Sequence, residues 1–151
     1  MKQFFSVFSL LITLQVAAQT HVQDKEQLFT KDEVYRLDSM LQQYHQLTDK
    51  IVLIATDSSE VNNPSYKNEL FQQYFPDSTS NKWVLMLLMS RKSQTIMLVV
   101  SKPLLPYISQ QLLMDIIETG ILSIKDKRRE EGAAIICKKA MEFLNGLQKK
   151  N

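Results

Sequence analysis

The sequence predicts a mixed α/β domain, with helices on both faces of a sheet that contains a βαβ unit and a hairpin. Two apolar runs, Trp83–Met89 and Thr95–Val100, have the length of strands and flank a short polar tip, as in a hairpin. A third run, Ile51–Ala55, is equally short and rich in β-branched residues. Because Trp83–Met89 and Ile51–Ala55 have no alternating polar positions, we expect both faces of these strands to be buried.

Length and composition allow one domain with a substantial core. The chain has 151 residues, of which 44% are hydrophobic. Its 18 basic and 16 acidic residues nearly balance, which argues against electrostatic binding of nucleic acid. The single cysteine, Cys137, cannot form an internal disulfide, and it shares a helical face with apolar residues. This pattern favours a buried structural thiol over a catalytic one, which would need a nearby base.

Residues 1–18 have the pattern of an export signal. Lys2 supplies a positive start, Phe4–Leu14 is mostly apolar, and Val16–Ala18 offers small residues for cleavage. We expect cleavage after Ala18 and a periplasmic or secreted protein; an uncleaved membrane anchor is the alternative. No second hydrophobic stretch is long enough to span a bilayer, so the mature chain is predicted to have no transmembrane span.

A flexible polar lead-in is expected over residues 19–27, followed by one α/β domain over residues 28–151. The domain opens with a helix whose start is well marked. Thr30 and Glu33 have the spacing of a capping box, in which each side chain binds a free backbone N–H near the other residue. Apolar residues then recur at helical spacing from Val34 to about Leu47.

The strand at Ile51–Ala55 is followed by a polar turn and a second predicted helix. Asn63 and Pro64 form a helix start, with Pro at the first helical position, and the helix is expected to stop before Pro76. The order strand, helix, strand makes a right-handed βαβ unit with parallel strands. Asp57 lies just after the first strand, where ligand sites of open α/β sheets gather, although a loop-capping turn also explains it.

The remainder of the chain is predicted to be helical apart from two connections. Two prolines should keep the segment Ser101–Pro106 from forming a helix. Ser109 can cap the next helix, which Gly120 is expected to end or bend. The charged run over residues 125–131 indicates a solvated loop or helix start, with an interaction patch as the alternative. The last helix is predicted over Gly132–Gln148.

The order of these elements resembles the TPM domain family, which occurs in exported bacterial proteins and in a thylakoid phosphatase and photosystem-repair factor. The resemblance covers roughly Phe29 to Leu147. It rests on the capped first helix, the strand at Ile51, the helix containing Leu70-Phe71, and the strand at Val84. It continues in Arg91-Lys92 at the hairpin tip and in Glu131-Gly132 near the last helix.

The resemblance implies a site for calcium or magnesium that this sequence departs from. The family's Asp-Asn-Gly triplet precedes the strand at Val84, where this chain reads Asn81-Lys82-Trp83. The family's Gly-x-Gly is replaced near Ser101, and its acidic residue in the following helix corresponds to Ser109 or Gln110. Hard divalent cations prefer carboxylate oxygens, so Asn81, Lys82 and Gln110 should bind such a cation weakly or not at all. We therefore expect no metal and no cofactor.

The sequence leaves three hypotheses of function. The first is an exported, non-catalytic TPM-like domain that acts as a binding or accessory module for a cell-envelope protein. The second is a metal-dependent phosphatase with an altered, weakened site. The third is a small-molecule binder with a cleft near Asp57 and Asn81. The replaced acidic positions favour the first over the second, and no known catalytic motif points to an enzyme. The candidate ligand residues are Asp57, Asn81, Lys82 and Gln110; no catalytic residue is assigned.

Overall fold

The computed structural model describes residues 20–58, 69 and 82–147, and these form a mixed sheet flanked by helices. The sheet has four strands in the order β1-β2-β3-β4. The strands are β1 (Val22–Asp24), β2 (Ile51–Thr56), β3 (Val84–Ser90) and β4 (Thr95–Val100). The helices are α1 (Lys31–Thr48), α2 (Gln110–Lys125) and α3 (Arg129–Gly146), with a 3-10 helix at Lys102–Tyr107 before α2.

Strand pairing confirms the predicted sheet. β2 and β3 are parallel, with Ile51 opposite Val84, as a βαβ connection requires. β3 and β4 are antiparallel, with Ser90 opposite Thr95 across the hairpin tip. Of the helix predicted to start at Asn63 and to stop before Pro76, only residue 69 is described, and it is helical.

The first helix starts as the sequence predicts. The Thr30 hydroxyl accepts a hydrogen bond from the Glu33 N–H (3.3 Å), and the Glu33 carboxylate accepts one from the Thr30 N–H (2.6 Å). These two bonds occupy backbone donors that the first turn would otherwise leave free. Three side chains of α1 are buried on the face toward the sheet, namely Leu37, Leu41 and Tyr44.

The core confirms that both faces of β2 and β3 are buried. On one face Ile54, Leu85 and Leu87 are fully buried and belong to a single apolar cluster with α1, α2 and α3. The alternate side chains form a second buried cluster on the opposite face: Ile51, Leu53, Ala55, Val84, Met86 and Leu88. An uninterrupted apolar strand is explained by this arrangement, since neither face meets water.

Some predicted boundaries are wrong. The predicted lead-in contains β1, whose Val22 pairs with Ile54 of β2. An edge strand of three residues with a single apolar side chain carries no apolar pattern. Gly120 does not end α2, because it is buried inside that helix against Gly132 of α3. The last helix begins at Arg129, three residues before the predicted Gly132.

The connection from β4 to α2 is also more ordered than predicted. Two prolines do not prevent a helix there, since Lys102–Tyr107 is a 3-10 helix with Pro103 in its first turn and Pro106 inside it. A 3-10 turn is short, so it loses few backbone hydrogen bonds to proline. Ser109 caps α2 as predicted, with its hydroxyl accepting from the Leu112 N–H (3.2 Å).

Candidate functional site

The structure separates the predicted ligand residues onto opposite ends of the sheet. Asp57 follows the carboxyl end of β2, and its N–H donates to the carbonyl of Met89 near the end of β3 (3.2 Å). Lys82 precedes the first residue of β3, at the amino end. Lys82 and Met89 are seven positions apart along this extended segment, a distance of roughly 23 Å at about 3.3 Å per residue. Asp57 and Lys82 therefore do not line one cleft.

Gln110 lies at the same end as Lys82. Ser101, the residue after β4, is hydrogen-bonded to the segment that begins β3. Its hydroxyl donates to the Lys82 carbonyl and accepts from the Val84 N–H, both at 3.0 Å. The 3-10 helix follows at once, and the Tyr107 ring packs 5.5 Å from the Trp83 ring. Gln110 is three residues further on and is exposed in the first turn of α2. Asn81 lies outside the described residues.

The described side chains at this amino end fit a divalent cation poorly. Lys82 is exposed, and its positive charge acts on the neighbouring His45 ring. The Lys50 ammonium is 5.6 Å from the centre of the Trp83 ring and donates to the Leu144 carbonyl (2.7 Å). Two ammonium groups and a buried indole repel or exclude a hard cation, and Gln110 offers no charge to offset them.

At the carboxyl end, carboxylates have partners within the fold. Asp24 accepts from the Leu28 N–H, the Phe29 N–H and the Thr56 hydroxyl at 2.9, 2.9 and 2.6 Å. The buried Asp57 carboxylate lies 3.4 Å from the Lys25 ammonium. These bonds fix the β1–α1 connection over the end of β2. They support the reading of Asp57 as part of a loop-capping arrangement.

A groove opens next to this end of the sheet, between the hairpin tip and the junction of α2 and α3. Its volume is about 700 Å³. Its walls include three cationic residues, Arg91, Lys125 and Arg129. Its apolar surface comes from five aliphatic residues: Leu28, Met89, Ile96, Ile121 and Ile124. We call this feature the basic groove; no aspartate or glutamate of the described part of the chain lines it.

Two histidines that the sequence left unassigned lie in contact. His21 Nε2 and His45 Nδ1 are 3.0 Å apart, so one proton is shared between a donor and an acceptor ring. Burial lowers the pKa of His21, as does His45, against the opposing effect of Asp38. Burial and the Lys82 charge lower the pKa of His45, which Asp49 opposes. His45 is thus a partly buried partner of His21 and not a free surface residue; 24 residues separate them, so no local spacing signals the pair.

Cys137 is a structural thiol, as predicted. Its side chain is buried, and burial raises the pKa of the thiol to about 12, which leaves it protonated at neutral pH. Within residues 20–58, 69 and 82–147, no three His, Cys, Asp or Glu side chains cluster as a metal site would require. Over the same residues, no helix combines the length and the apolarity needed to cross a membrane.

Three solved structures share this fold. The N-terminal domain of a protein from P. gingivalis superposes with a TM-score of 0.71 at 17% identity, covering 87% of this chain and 85% of that one. The N-terminal domain of a Corynebacterium glutamicum protein gives a TM-score of 0.62 at 9% identity, covering 89% and 84%. A protein from the psychrophilic bacterium Bizionia argentinensis gives 0.67 at 15% identity, covering 80% and 83%. At these identities the likeness concerns the fold alone.

The family assignment rests on the sequence itself. No curated protein matches this sequence significantly. The family model of the TPM domain matches residues 22–143, which include every described strand and helix up to the last turn of α3. The match starts at β1, within the segment that composition alone suggested was a lead-in. The chain belongs to the TPM domain family.

Proposed function

We propose that this protein is an exported, non-catalytic TPM domain that acts as a binding or accessory module in the cell envelope. Export is proposed from the sequence of residues 1–18, with its basic start, apolar run and small residues at Val16–Ala18. The periplasm or the extracellular space is the corresponding location. An envelope protein is the proposed partner.

The observation that carries the non-catalytic assignment is the charge at the amino end of β3. The family resemblance puts a divalent cation there, but Lys82 and Lys50 supply positive charge, and Trp83 fills space with a buried ring. Phosphate-ester hydrolysis by a metal mechanism depends on the cation to neutralise charge that develops in the transition state. A site that repels the cation loses this help, which supports a role in binding.

A second feature supports a binding role. The basic groove lies at the opposite end of the sheet from Lys82, so its residues are independent of the replaced acidic positions. A concave apolar surface with a few charged groups is the usual form of a ligand site. The groove therefore supplies a binding surface that does not need the family's metal.

Phosphatase assays test the non-catalytic assignment. Purified protein beginning at Gln19 is incubated with p-nitrophenyl phosphate and millimolar calcium or magnesium, and with a chelator in parallel. Release of nitrophenol should stay at the rate of the buffer control. Metal-dependent turnover above that rate would overturn the assignment in favour of a phosphatase with an altered site.

Mass analysis of the exported protein tests its location. The mature chain should begin at Gln19 and appear in the periplasmic or culture fraction. A matched variant with Ala18→Lys should block cleavage, since the peptidase needs a small residue at that position. Recovery of the unaltered protein in the membrane fraction with Met1 still attached would contradict export by a cleaved signal.

A further inference from the structure

In the charged run over residues 125–131, the acidic side chains form ion pairs, whereas two of the basic side chains line the basic groove. Its acidic side chains pair away from the basic groove. Glu130 receives two hydrogen bonds from Arg36 of α1, at 2.6 and 2.8 Å. Glu131 and Asp126 both pair with Arg128, at 2.7 and 3.5 Å. The acids of this segment are therefore engaged by cations that do not line the groove.

The cations that line the basic groove take no part in these ion pairs. Arg91, Lys125 and Arg129 form no ion pair with any residue in the described part of the chain. Arg91 comes from the hairpin tip, Lys125 from the last turn of α2 and Arg129 from the first turn of α3. Three separate elements thus bring positive charge to one opening. The Glu26 carboxylate accepts a hydrogen bond from the Arg91 backbone N–H (3.1 Å), but Glu26 does not line the groove. Three like charges held together at one opening favour an anion between them.

The remaining surface of the groove defines the rest of the ligand. Its apolar residues are all aliphatic, and Ile121 and Ile124 come from the same helix as Lys125. A volume of about 700 Å³ lies within the range of sites that take small molecules. An inorganic anion would leave the aliphatic surface uncovered, whereas an aliphatic chain with an anionic head covers both parts.

We propose that the basic groove binds a small aliphatic anion, with its carboxylate or phosphate head among Arg91, Lys125 and Arg129. The aliphatic chain lies along Ile121 and Ile124. This inference rests on the proposed binding function and names its ligand class. Such a ligand can be a free amphiphile or the same head group presented by a membrane, and we assign the free amphiphile because the site is a bounded groove.

Nuclear magnetic resonance titration of the protein beginning at Gln19 tests this assignment. The probes are octanoate, octyl phosphate, neutral octyl glucoside and inorganic phosphate, all as dispersed molecules. Octanoate and octyl phosphate should shift the methyl signals of Ile96, Ile121 and Ile124 in a saturable manner. Their Kd should be at least tenfold lower than that of octyl glucoside or inorganic phosphate. Equal affinity for octyl glucoside, equal affinity for inorganic phosphate, or no shift at these methyls would each overturn the proposal.

Matched charge variants assign the head group to the three cations. The double variant Arg91→Gln and Arg129→Gln should weaken octanoate binding at least tenfold. The control Lys31→Gln and Lys138→Gln removes the same charge from exposed positions outside the groove and should leave the Kd within twofold. Unchanged methyl signals of Leu41 and Leu144 verify that both variants are folded. Equal loss in both variants would overturn the proposal, because net charge alone would then explain binding.

Two further measurements, vesicle binding and phosphate release, distinguish a free amphiphile from a membrane and binding from hydrolysis. Vesicles containing anionic phospholipid are added to the same protein, and binding to vesicles without binding to free octanoate would overturn the assignment of a free amphiphile. Octyl phosphate is also followed for release of phosphate in the presence of calcium. Hydrolysis would contradict the non-catalytic function while leaving the ligand class of the groove standing. Absence of binding without hydrolysis would contradict the ligand class alone.

Discussion

Gly120 of α2 and Gly132 of α3 lie against each other, with each backbone occupying the space that a side chain would need. A Cβ atom added to Gly132 would lie 2.7 Å from the carbonyl oxygen of Gly120. A Cβ atom added to Gly120 would overlap the carbonyl oxygen of Gly132 and lie 2.8 Å from the Ile136 side chain. The two helices therefore approach at the distance that only glycine permits. This contact also fixes the helix junction that carries Lys125 and Arg129.

Replacement of either glycine by alanine should destabilise the protein. Alanine favours a helix over glycine by up to about 1 kcal/mol, but the overlap at these positions is with backbone, which cannot move aside. We expect a net loss of about 1–3 kcal/mol for Gly120→Ala and Gly132→Ala. Gly146→Ala is the control, since nothing lies within 4 Å of its added Cβ, and it should not destabilise the protein. Urea titration measures all three; equal effects would contradict the close contact.

The central strand gives a second stability prediction. Leu87 of β3 is fully buried, and truncation of such a side chain leaves a cavity in addition to the lost apolar contact. Leu87→Ala should lower the free energy of unfolding by about 2–5 kcal/mol. Lys92, exposed at the hairpin tip, should tolerate alanine within roughly half a kcal/mol. Similar losses in the two variants would mean that the strand and the tip are wrongly placed.

The sequence predicts the elements that carry their own periodic or capping signal. Uninterrupted apolar runs identify β2 and β3, and Thr30 with Glu33 marks the start of α1. The short strand β1 has no such signal, because its stability comes from backbone bonds to a neighbour distant in sequence. The prediction that α2 ends at Gly120 fails for a related reason. A glycine that ends a helix and a glycine that allows a second helix to approach closely look the same in sequence. Only the partner, Gly132, distinguishes them.

The sequence indicates less about how side chains meet at the ends of the sheet than about the fold. Ligand residues were grouped by family position and by strand end, yet Asp57 and Lys82 lie at opposite ends of the sheet. The basic groove forms where the hairpin tip, α2 and α3 meet in space. Its three cations form no ion pair with the described residues because Glu130 and Glu131 pair with Arg36 and Arg128 instead. Pairing of this kind cannot be read from a run of mixed charges, which looks balanced in sequence.

Asp24 should contribute to stability through the three hydrogen bonds that its carboxylate accepts. Asp24→Asn replaces one acceptor oxygen with an amide group, which faces backbone donors or the Thr56 hydroxyl. We expect a loss of about 1–3 kcal/mol in the free energy of unfolding. Asp115→Asn is the matched control, because Asp115 is exposed and accepts a hydrogen bond from Gln111 of its own helix. An effect of Asp24→Asn no larger than that of the control would contradict this role.

Acidification should weaken the fold through His21 and His45. Both pKa values are lowered in the folded state, chiefly by burial, whereas the unfolded chain titrates near about 6.5. As the pH falls below that value, the unfolded chain takes up protons first, so stability decreases until the folded rings also protonate. Above about pH 7.5 neither state is protonated, and the contribution is constant.

Urea titrations between pH 5 and about pH 7.5 measure how the free energy of unfolding changes with pH. Most carboxylates stay ionised over this range, so they contribute little to the change. The double variant His21→Gln and His45→Gln should show a shallower dependence on pH. Because glutamine can still exchange hydrogen bonds with its neighbour, the variant changes charge more than packing. A slope identical to that of the unaltered protein would show that the histidine pair is not responsible.

The final prediction concerns the amino end of β3, where the family resemblance implies a divalent cation. A ligand raises the melting temperature only through its occupancy of the folded state, so a very weak site is thermally silent. Millimolar calcium or magnesium should therefore barely change the Tm of the unaltered protein. Asn81→Asp, Gln110→Asp and Lys82→Asn together add two carboxylates and remove one ammonium group, so calcium should then raise the Tm.

The matched control keeps the charge change but moves it away from the site. Gln27→Asp and Gln94→Asp with Lys92→Asn change the net charge equally on exposed positions at the opposite end of the sheet, and calcium should leave their Tm unaltered. A calcium-dependent shift in the unaltered protein would contradict the loss of the site, since Lys82 would then not exclude the cation. A shift in neither protein would instead show that Trp83, whose buried ring packs against Tyr107, blocks the site even when the carboxylates are present. The further change Trp83→Gly distinguishes this outcome, because it reopens the space and should make the triple variant respond to calcium.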